Sequence, residues 1–230
     1  MATDEETATV LGLSRAARAF LLTGGPLLGL ILGYFLPTIA AWLSQLPWIP
    51  MRGPLRLIAA LDAWWAHAAL VLAGMILGLL LAHAAITESL RVTVTDRQLL
   101  LERDGKTRTI DRTLVSAVFV DGPDLVVLDR GSRQLVRERH DSTATKIAQA
   151  VRTHGYPWTD RDPYEQLYRR WVRDSPDLPG PVNAVLAARE IALRKKERKD
   201  ATELRDEVQH LGYVIRDEGH RQYWRPLIRS

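Results

Sequence analysis

Cysteine is absent from all 230 residues. That removes disulfides, thiolate metal sites and cysteine nucleophiles together, and it accords with a soluble part kept in a reducing compartment. Charge is absent from two long stretches: no Asp, Glu, Lys or Arg stands between Ala19 and Met51, or between Ala63 and Thr87. The sequence also lacks a glycine-rich phosphate loop, a metal-ligand spacing and a paired acid and base. It therefore implies no cofactor and no metal, and it reads as a non-enzyme.

The charge that is present is divided unevenly. Residues 1–90 hold four arginines against five carboxylates, and residues 91–230 hold 27 basic against 22 acidic side chains. The soluble part is thus mildly basic and laced with opposite charges, weaker than the footprint of a dedicated nucleic-acid binder. It suits a domain near an anionic leaflet.

A helix needs about 20 apolar residues to cross the hydrocarbon core of a bilayer, and both uncharged stretches reach that length. The start is acidic (Asp4, Glu5, Glu6) where a secretory signal is basic, so the first stretch reads as a retained helix. Helix one is expected over 19–43 and helix two over 65–86, with Trp42 and Trp48 at an interfacial belt. Pro37 is expected to kink helix one or to mark its upper third. Residues 55–64 read as an amphipathic segment lying in the interface. Arg15, Arg18, Arg91 and Arg97 flank the helices against Arg52 and Arg56 in the loop, which predicts both termini in the cytoplasm. Gly25, Gly29 and Gly33 recur every four residues, as do Gly74, Gly78 and Ala82. Small residues at this period let helices approach closely, predicting packing within the hairpin or between copies in a homo-oligomer. His67 and His83 have no ionisable residue between them and read as lying near the two interfaces rather than forming a proton relay.

From Arg91 the hydrophobic period changes to two. Val92 and Val94, then Leu99 and Leu101, lead into the turn signal Asp104-Gly105. Further runs over 107–110, 114–120, 125–128 and 133–138 read as strands. Residues 143–153 read as a helix behind an Asp141-Ser142 cap. His140-Asp141-Ser142 holds triad residue types, but neighbours in sequence rarely converge that way, so they read as a turn. A strand meander closed by one helix resembles a PH-like domain. Val92-Thr93-Val94-Thr95-Asp96-Arg97-Gln98-Leu99 looks like the opening strand pair of bacterial PH-like domains. That resemblance implies a scaffold more often than a lipid reader.

Residues 156–162 read as a linker. Tyr164, Leu167, Tyr168 and Trp171 share a helical face, predicting a helix over 163–172. Helices over 182–199 and 201–211 follow, with Gly212 at the C′ position. A hairpin of 213–216 and 222–225 ends the chain. Leu186-Ala187-Ala188-Arg189, the run Arg194-Lys195-Lys196-Glu197-Arg198-Lys199, Leu204-Arg205-Asp206-Glu207 and Leu211-Gly212-Tyr213, with Trp224-Arg225, resemble the anticodon-binding region of cysteinyl-tRNA synthetases. There is no synthetase catalytic domain, so the resemblance implies a fold and not tRNA charging.

Together these parts resemble the YqeB-type bacterial membrane proteins. The expected fold is a membrane protein: a cytoplasmic N-terminal tail (1–18), a two-helix transmembrane hairpin (19–88), a PH-like β-sheet domain with a C-terminal helix (90–157) and a small α+β domain (160–230). The expected role is a cell-membrane interaction scaffold with an unidentified protein partner. The alternative is a membrane-tethered RNA or tRNA binder. It would use Arg194, Lys195, Lys196, Arg198 and Lys199, with Tyr213, Tyr223 and Trp224 as stacking surfaces. Against it, the same run reads as a solvated helix face paired locally with Glu190 and Glu197.

Overall fold

The computed structural model describes residues 8–44, 63–219 and 221–228. The acidic start, the Trp48 belt position, the Arg52–Arg56 loop, the amphipathic segment up to residue 62 and His220 lie outside the described residues. The chain divides into two compact units. One holds residues 12–91 with 102–107, and the other the remainder.

The first unit is built on two helices, α1 (Arg15–Ser44) and α2 (Trp64–Glu88). Both are long and apolar enough to cross a membrane. They start earlier and end later than the uncharged stretches suggested, and α1 runs through Pro26 and Pro37 without a break in its helix. The two small-residue faces meet. A methyl added at Gly25 would lie 2.7 Å from the Gly78 carbonyl oxygen, one at Gly33 would lie 2.5 Å from that of Leu70, and one at Gly29 would fall on the Gly74 carbonyl. Four residues down one helix match four residues up the other, the register of an antiparallel hairpin packed backbone to backbone. Gly78 and Ala82 are buried there. The larger apolar side chains point away: Leu27 is 59% and Leu81 62% exposed.

The segment expected as an N-terminal tail supplies a strand. β1 (Thr9–Leu11) pairs antiparallel with β2 (Arg91–Val94), Thr9 opposite Val94 and Leu11 opposite Val92. β3 (Gln98–Arg103) and β4 (Lys106–Asp111) complete a sheet in the order β1-β2-β3-β4. A 3-10 turn at Arg112–Leu114 leads to a second sheet, β5 (Ala117–Asp121), β6 (Asp124–Leu128) and β7 (Gln134–Arg139), in chain order. Leu125 to Leu128 form a near-continuous apolar run, and all four are buried. α3 (Ala144–Thr153) follows, its cap residue being Thr143 rather than Asp141 or Ser142, and it buries Ile147, Ala150 and Val151. The expected linker is not free chain. Pro157–Thr159 runs parallel to β5, with the Val118 N–H donating to the Pro157 carbonyl (2.8 Å) and the Thr159 N–H to the Val118 carbonyl (2.9 Å).

The helix expected over 163–172 does not form. A single 3-10 turn at Glu165–Leu167 gives way to β8 (Arg169–Arg170), which pairs with Tyr223 and Trp224. The aromatic spacing serves a packed turn and a strand edge. α4 (Gly180–Lys195) ends at Lys196, which takes a left-handed conformation (φ 62°), and α5 (Arg198–His210) begins two residues later. Gly212 (φ 94°) leads from α5 into β9 (Tyr213–Glu218), which pairs with β10 (Arg221–Pro226). This part has its own core of Trp171, Leu178, Val182, Leu186, Val208, Ile215 and Trp224. Arg189, 3% exposed, joins its elements. Its guanidinium donates to both Asp217 carboxylate oxygens (2.7 Å each), to Gln222 Oε1 (2.9 Å) and to the Ala201 carbonyl (2.9 Å).

Two outcomes follow. Gly29→Leu or Gly74→Leu forces the backbones apart and should destabilise the hairpin by at least the ~1–3 kcal/mol typical of overpacking. Gly24→Ala, whose methyl would meet only the Phe20 ring at 3.9 Å, should leave thermal stability in detergent unchanged. Arg189→Ala removes a buried guanidinium with its four hydrogen bonds, leaves the Gln222 and Ala201 acceptors unpaired, and should cost about 1–3 kcal/mol, read as a fall in the denaturant midpoint.

Candidate functional site

A sheet edge offers unpaired backbone N–H and C=O groups to any strand that approaches. The β5-β6-β7 sheet has two such edges. Pro157–Thr159 covers β5 with backbone. The C-terminal elements cover β7 with side chains. The Gln134 N–H donates to Gln209 Oε1 (2.9 Å), and Gln209 Nε2 donates to the Gln134 carbonyl (3.3 Å). Arg205 donates to the Arg137 carbonyl (3.2 Å). Arg225 donates to the Ser132 carbonyl (2.8 Å) and hydroxyl (2.9 Å).

Around this seam the charges are matched. Asp121 Oδ2 accepts from Arg137 (2.7 Å) and lies 3.4 Å from Arg216. Asp124 stands 3.2 Å from Arg137, and Arg216 also reaches Glu218 (3.1 Å). Burial works against the Arg137 charge, but the Asp121 hydrogen bond and the Asp124 and Asp121 carboxylates outweigh it and raise its pKa. Arg225 is fully buried beneath the Tyr164 ring (4.6 Å) and the Tyr168 ring (5.5 Å), where cation–π attraction supports a desolvated guanidinium. Burial, with Asp162 nearby, pushes the Tyr168 phenol up. Tyr164 also packs on the Ala117, Phe119, Val126 and Leu128 cluster of the sheet.

The residues singled out for RNA separate into two groups. Arg194, Lys195, Lys196, Arg198 and Lys199 are exposed at the turn between α4 and α5. Arg194 pairs with Glu190 (2.8 Å), Lys195 with Glu197 (4.0 Å) and Lys199 with Glu203 (3.8 Å). Trp224 belongs elsewhere. It is 5% exposed, in the core, edge-on to Tyr213, so it offers no face to a base. The packing residues Gly25, Gly29, Gly33, Gly74, Gly78 and Ala82 come together inside one hairpin.

One constellation escaped the sequence. Thr9 Oγ1 lies 2.8 Å from His154 Nε2, and His154 Nδ1 lies 2.6 Å from Asp96 Oδ1. The three residues are scattered across 145 positions, and nothing in the local pattern marks them. The order hydroxyl, imidazole, carboxylate is that of a nucleophilic triad. Here the histidine is buried and the carboxylate is 63% exposed, the reverse of a triad's usual exposure. The chemistry this supports is a clasp. The chain of bonds holds β1 to the end of α3. Among the described residues no cluster of His, Cys, Asp and Glu could hold a metal ion.

A family model described as the YqeB-like bacterial PH domain matches residues 9–159, a range that starts at β1 and ends at the strand-like Pro157–Thr159 segment. A second, the cysteinyl-tRNA ligase anticodon binding domain, matches residues 175–225. An uncharacterized protein, YqeB of Bacillus subtilis (strain 168), is 41% identical over 218 residues, covering 94% of this chain and 91% of the relative. No solved structure matches the chain.

Thr9→Val keeps the shape of β1 and leaves the buried imidazole short of a partner. It should lower stability by about 1–3 kcal/mol and raise hydrogen exchange selectively at residues 9–11 and 92–94.

Proposed function

The chain belongs to the YqeB-like bacterial PH family, and we propose that it is a non-enzymatic interaction scaffold held at the cell membrane by its apolar hairpin. The observation that carries this is the pairing of β1 with β2. α1 follows β1 after three residues and α2 precedes β2 by two, so the hairpin issues from neighbouring strands of one sheet. An anchor of that kind joins the domain to the hairpin through two short connections. The outward apolar side chains of α1 and α2 support a lipid environment, since exposed apolar patches of that extent are untenable in water. On this reading both termini are cytoplasmic. The flanking arginines support that side, and the β1–β2 pair requires an even number of crossings.

The RNA-binding alternative keeps two supporting features, the exposed cations of the α4–α5 turn and the likeness of residues 175–225 to an anticodon-binding domain. Two measurements decide. A reporter fused after Ser230 should be active only in the cytoplasm, and one inserted at 47–54 only outside; cytoplasmic activity of the loop reporter overturns the anchor. Ultraviolet crosslinking of the intact protein in cells should recover no RNA class above background. Selective recovery of one tRNA overturns the scaffold reading in favour of the alternative.

A further inference from the structure

At one end of the hairpin α1 begins and α2 finishes. The two chains pass side by side there: a methyl added at Gly12 would lie 3.2 Å from the Leu90 carbonyl oxygen. The β3–β4 turn belongs to the same unit and docks on this end, the Asp104 N–H donating to the Thr87 carbonyl (3.2 Å). Residues 12–19, 83–91 and 102–107 hold Arg15, Arg18, Arg91, Arg103 and Lys106 against Glu88, Glu102 and Asp104. Arg91 stands 3.7 Å from Glu102, and Arg103 3.9 Å from Asp104. Arg15, Arg18 and Lys106 have no ion-pair partner among the described residues, and Glu88 is the carboxylate left to offset them.

Arg18 precedes Gly25 by seven residues, close to two helical turns, so it stands on the small-residue face that meets α2. Gly25 packs on Gly78 and Ala82. Carried two turns outward, that register sets Arg18 against the last turn of α2. The end of a helix offers free carbonyl oxygens to a cation, but here four of them already hold donors. Thr87 Oγ1 donates to the His83 (3.2 Å) and Ala84 (2.9 Å) carbonyls, Ser89 Oγ to that of Ile86 (2.8 Å), and the Asp104 N–H to that of Thr87. Arg18 Nε is shielded from solvent and makes no hydrogen bond. The outward apolar band begins at once beyond it, with Phe20 74% exposed. On the membrane-anchor reading Arg18 therefore lies at the rim of the hydrocarbon, and Arg15 one turn, about 4.5 Å, further out.

We propose that this end of the hairpin is a site for the phosphate of an anionic phospholipid, held between Arg15 and Arg18 with Lys106 of the docked turn adding its charge. The proposal rests on the membrane-anchor reading and deepens it: the lipid is a specific ligand as well as the solvent of the helices. A guanidinium matches phosphate oxygens with paired N–H donors, and at the hydrocarbon rim the anion within reach is the headgroup. Charge selects among lipids. Three unpaired cations face one carboxylate, so a headgroup with its own ammonium, such as phosphatidylcholine, gains little there. Phosphatidylglycerol brings a net negative charge and gains the full attraction.

The test uses the full chain in detergent, titrated with phosphatidylglycerol or phosphatidylcholine, with bound lipid counted by native mass spectrometry. The unmodified chain should hold phosphatidylglycerol about tenfold or more tightly than phosphatidylcholine, and Arg15→Gln with Arg18→Gln should abolish most of that preference. Lys106→Gln alone lies outside the helices and should weaken phosphatidylglycerol binding by roughly fivefold, the effect of one juxtamembrane cation. Arg18→Lys keeps the charge without the paired donors and should fall between the unmodified chain and the double variant. Arg130→Gln with Arg161→Gln makes the same change of charge at exposed positions outside this unit and should leave the preference intact. Phosphatidylglycerol should also raise the melting temperature of the unmodified chain and not that of the double variant. Equal affinity for the two lipids in the unmodified chain overturns the proposal, as does a double variant that keeps the preference or a control variant that loses it. Displacement of the lipid by millimolar inorganic phosphate overturns the assignment to a lipid. Each of these failures removes the headgroup site and leaves the anchor standing, which falls to the loop reporter instead.

Discussion

A three-residue strand constrains the rest of the molecule. β1 is short, yet its pairing with β2 requires the chain to leave the sheet at Leu11 and return beside it at Val92. Everything between must form a closed excursion. Neighbouring strands stand about 4.8 Å apart and ordinary packed helices about 8–10 Å, and the links from strand to helix are three and two residues long. Glycine at the helix contacts narrows the helix spacing at its source. The Thr9–His154–Asp96 clasp then fixes β1 at its far end. A strand of this length contributes little by itself, and the side-chain bonds to α3 supply what its backbone ladder cannot.

A second constraint is electrostatic. The soluble part carries a modest excess of positive charge, but its buried cations are matched in place. Arg189 is held by Asp217, and Arg137 by Asp121 and Asp124. Arg225 is held by carbonyl, hydroxyl and aromatic faces. Unmatched burial of any of these would cost several kcal/mol. Arg137, Arg189 and Arg225 are therefore internal structure and not part of an interaction surface. Arg205 shows the limit of this. Burial lowers its pKa more than Asp206 raises it, and its main-chain partner on β7 is a carbonyl.

The hairpin and its glycine faces were legible because membrane-length apolarity and a four-residue small-residue period are strong signals. The strand meander and the α4–α5–hairpin order were legible for similar reasons of period and punctuation. β1 was not, since three residues give no period and its partner lies about 80 positions away. Tyr164, Leu167, Tyr168 and Trp171 mimicked a helical face because aromatic residues at a packed turn fall at the same spacing. The break at Lys196 was hidden inside a run of good helix formers, where tertiary packing overrides propensity. Trp224 looked like a stacking platform because a tryptophan beside arginines in a hairpin has that composition whether it faces solvent or core. The seam at β7 was invisible. Gln134 and Gln209 are 75 positions apart, and glutamine carries no pattern.

These facts bear on how the two functional readings weigh against each other. A binder that relies on phosphate contacts loses about one power of salt concentration for each contact, so its affinity depends on how many cations stand ready. At the α4–α5 turn three of the five candidate cations already have carboxylate partners. Of the three aromatic residues meant to stack on a base, Trp224 is in the core and Tyr213 packs edge-on against it, which leaves Tyr223 half-buried. What remains is a small charged corner at the α4–α5 turn. A domain that resembles an RNA-binding module has, in this chain, become the part that covers a strand edge. Through Gln209 and Arg205 its hydrogen bonds reach the main chain of β7.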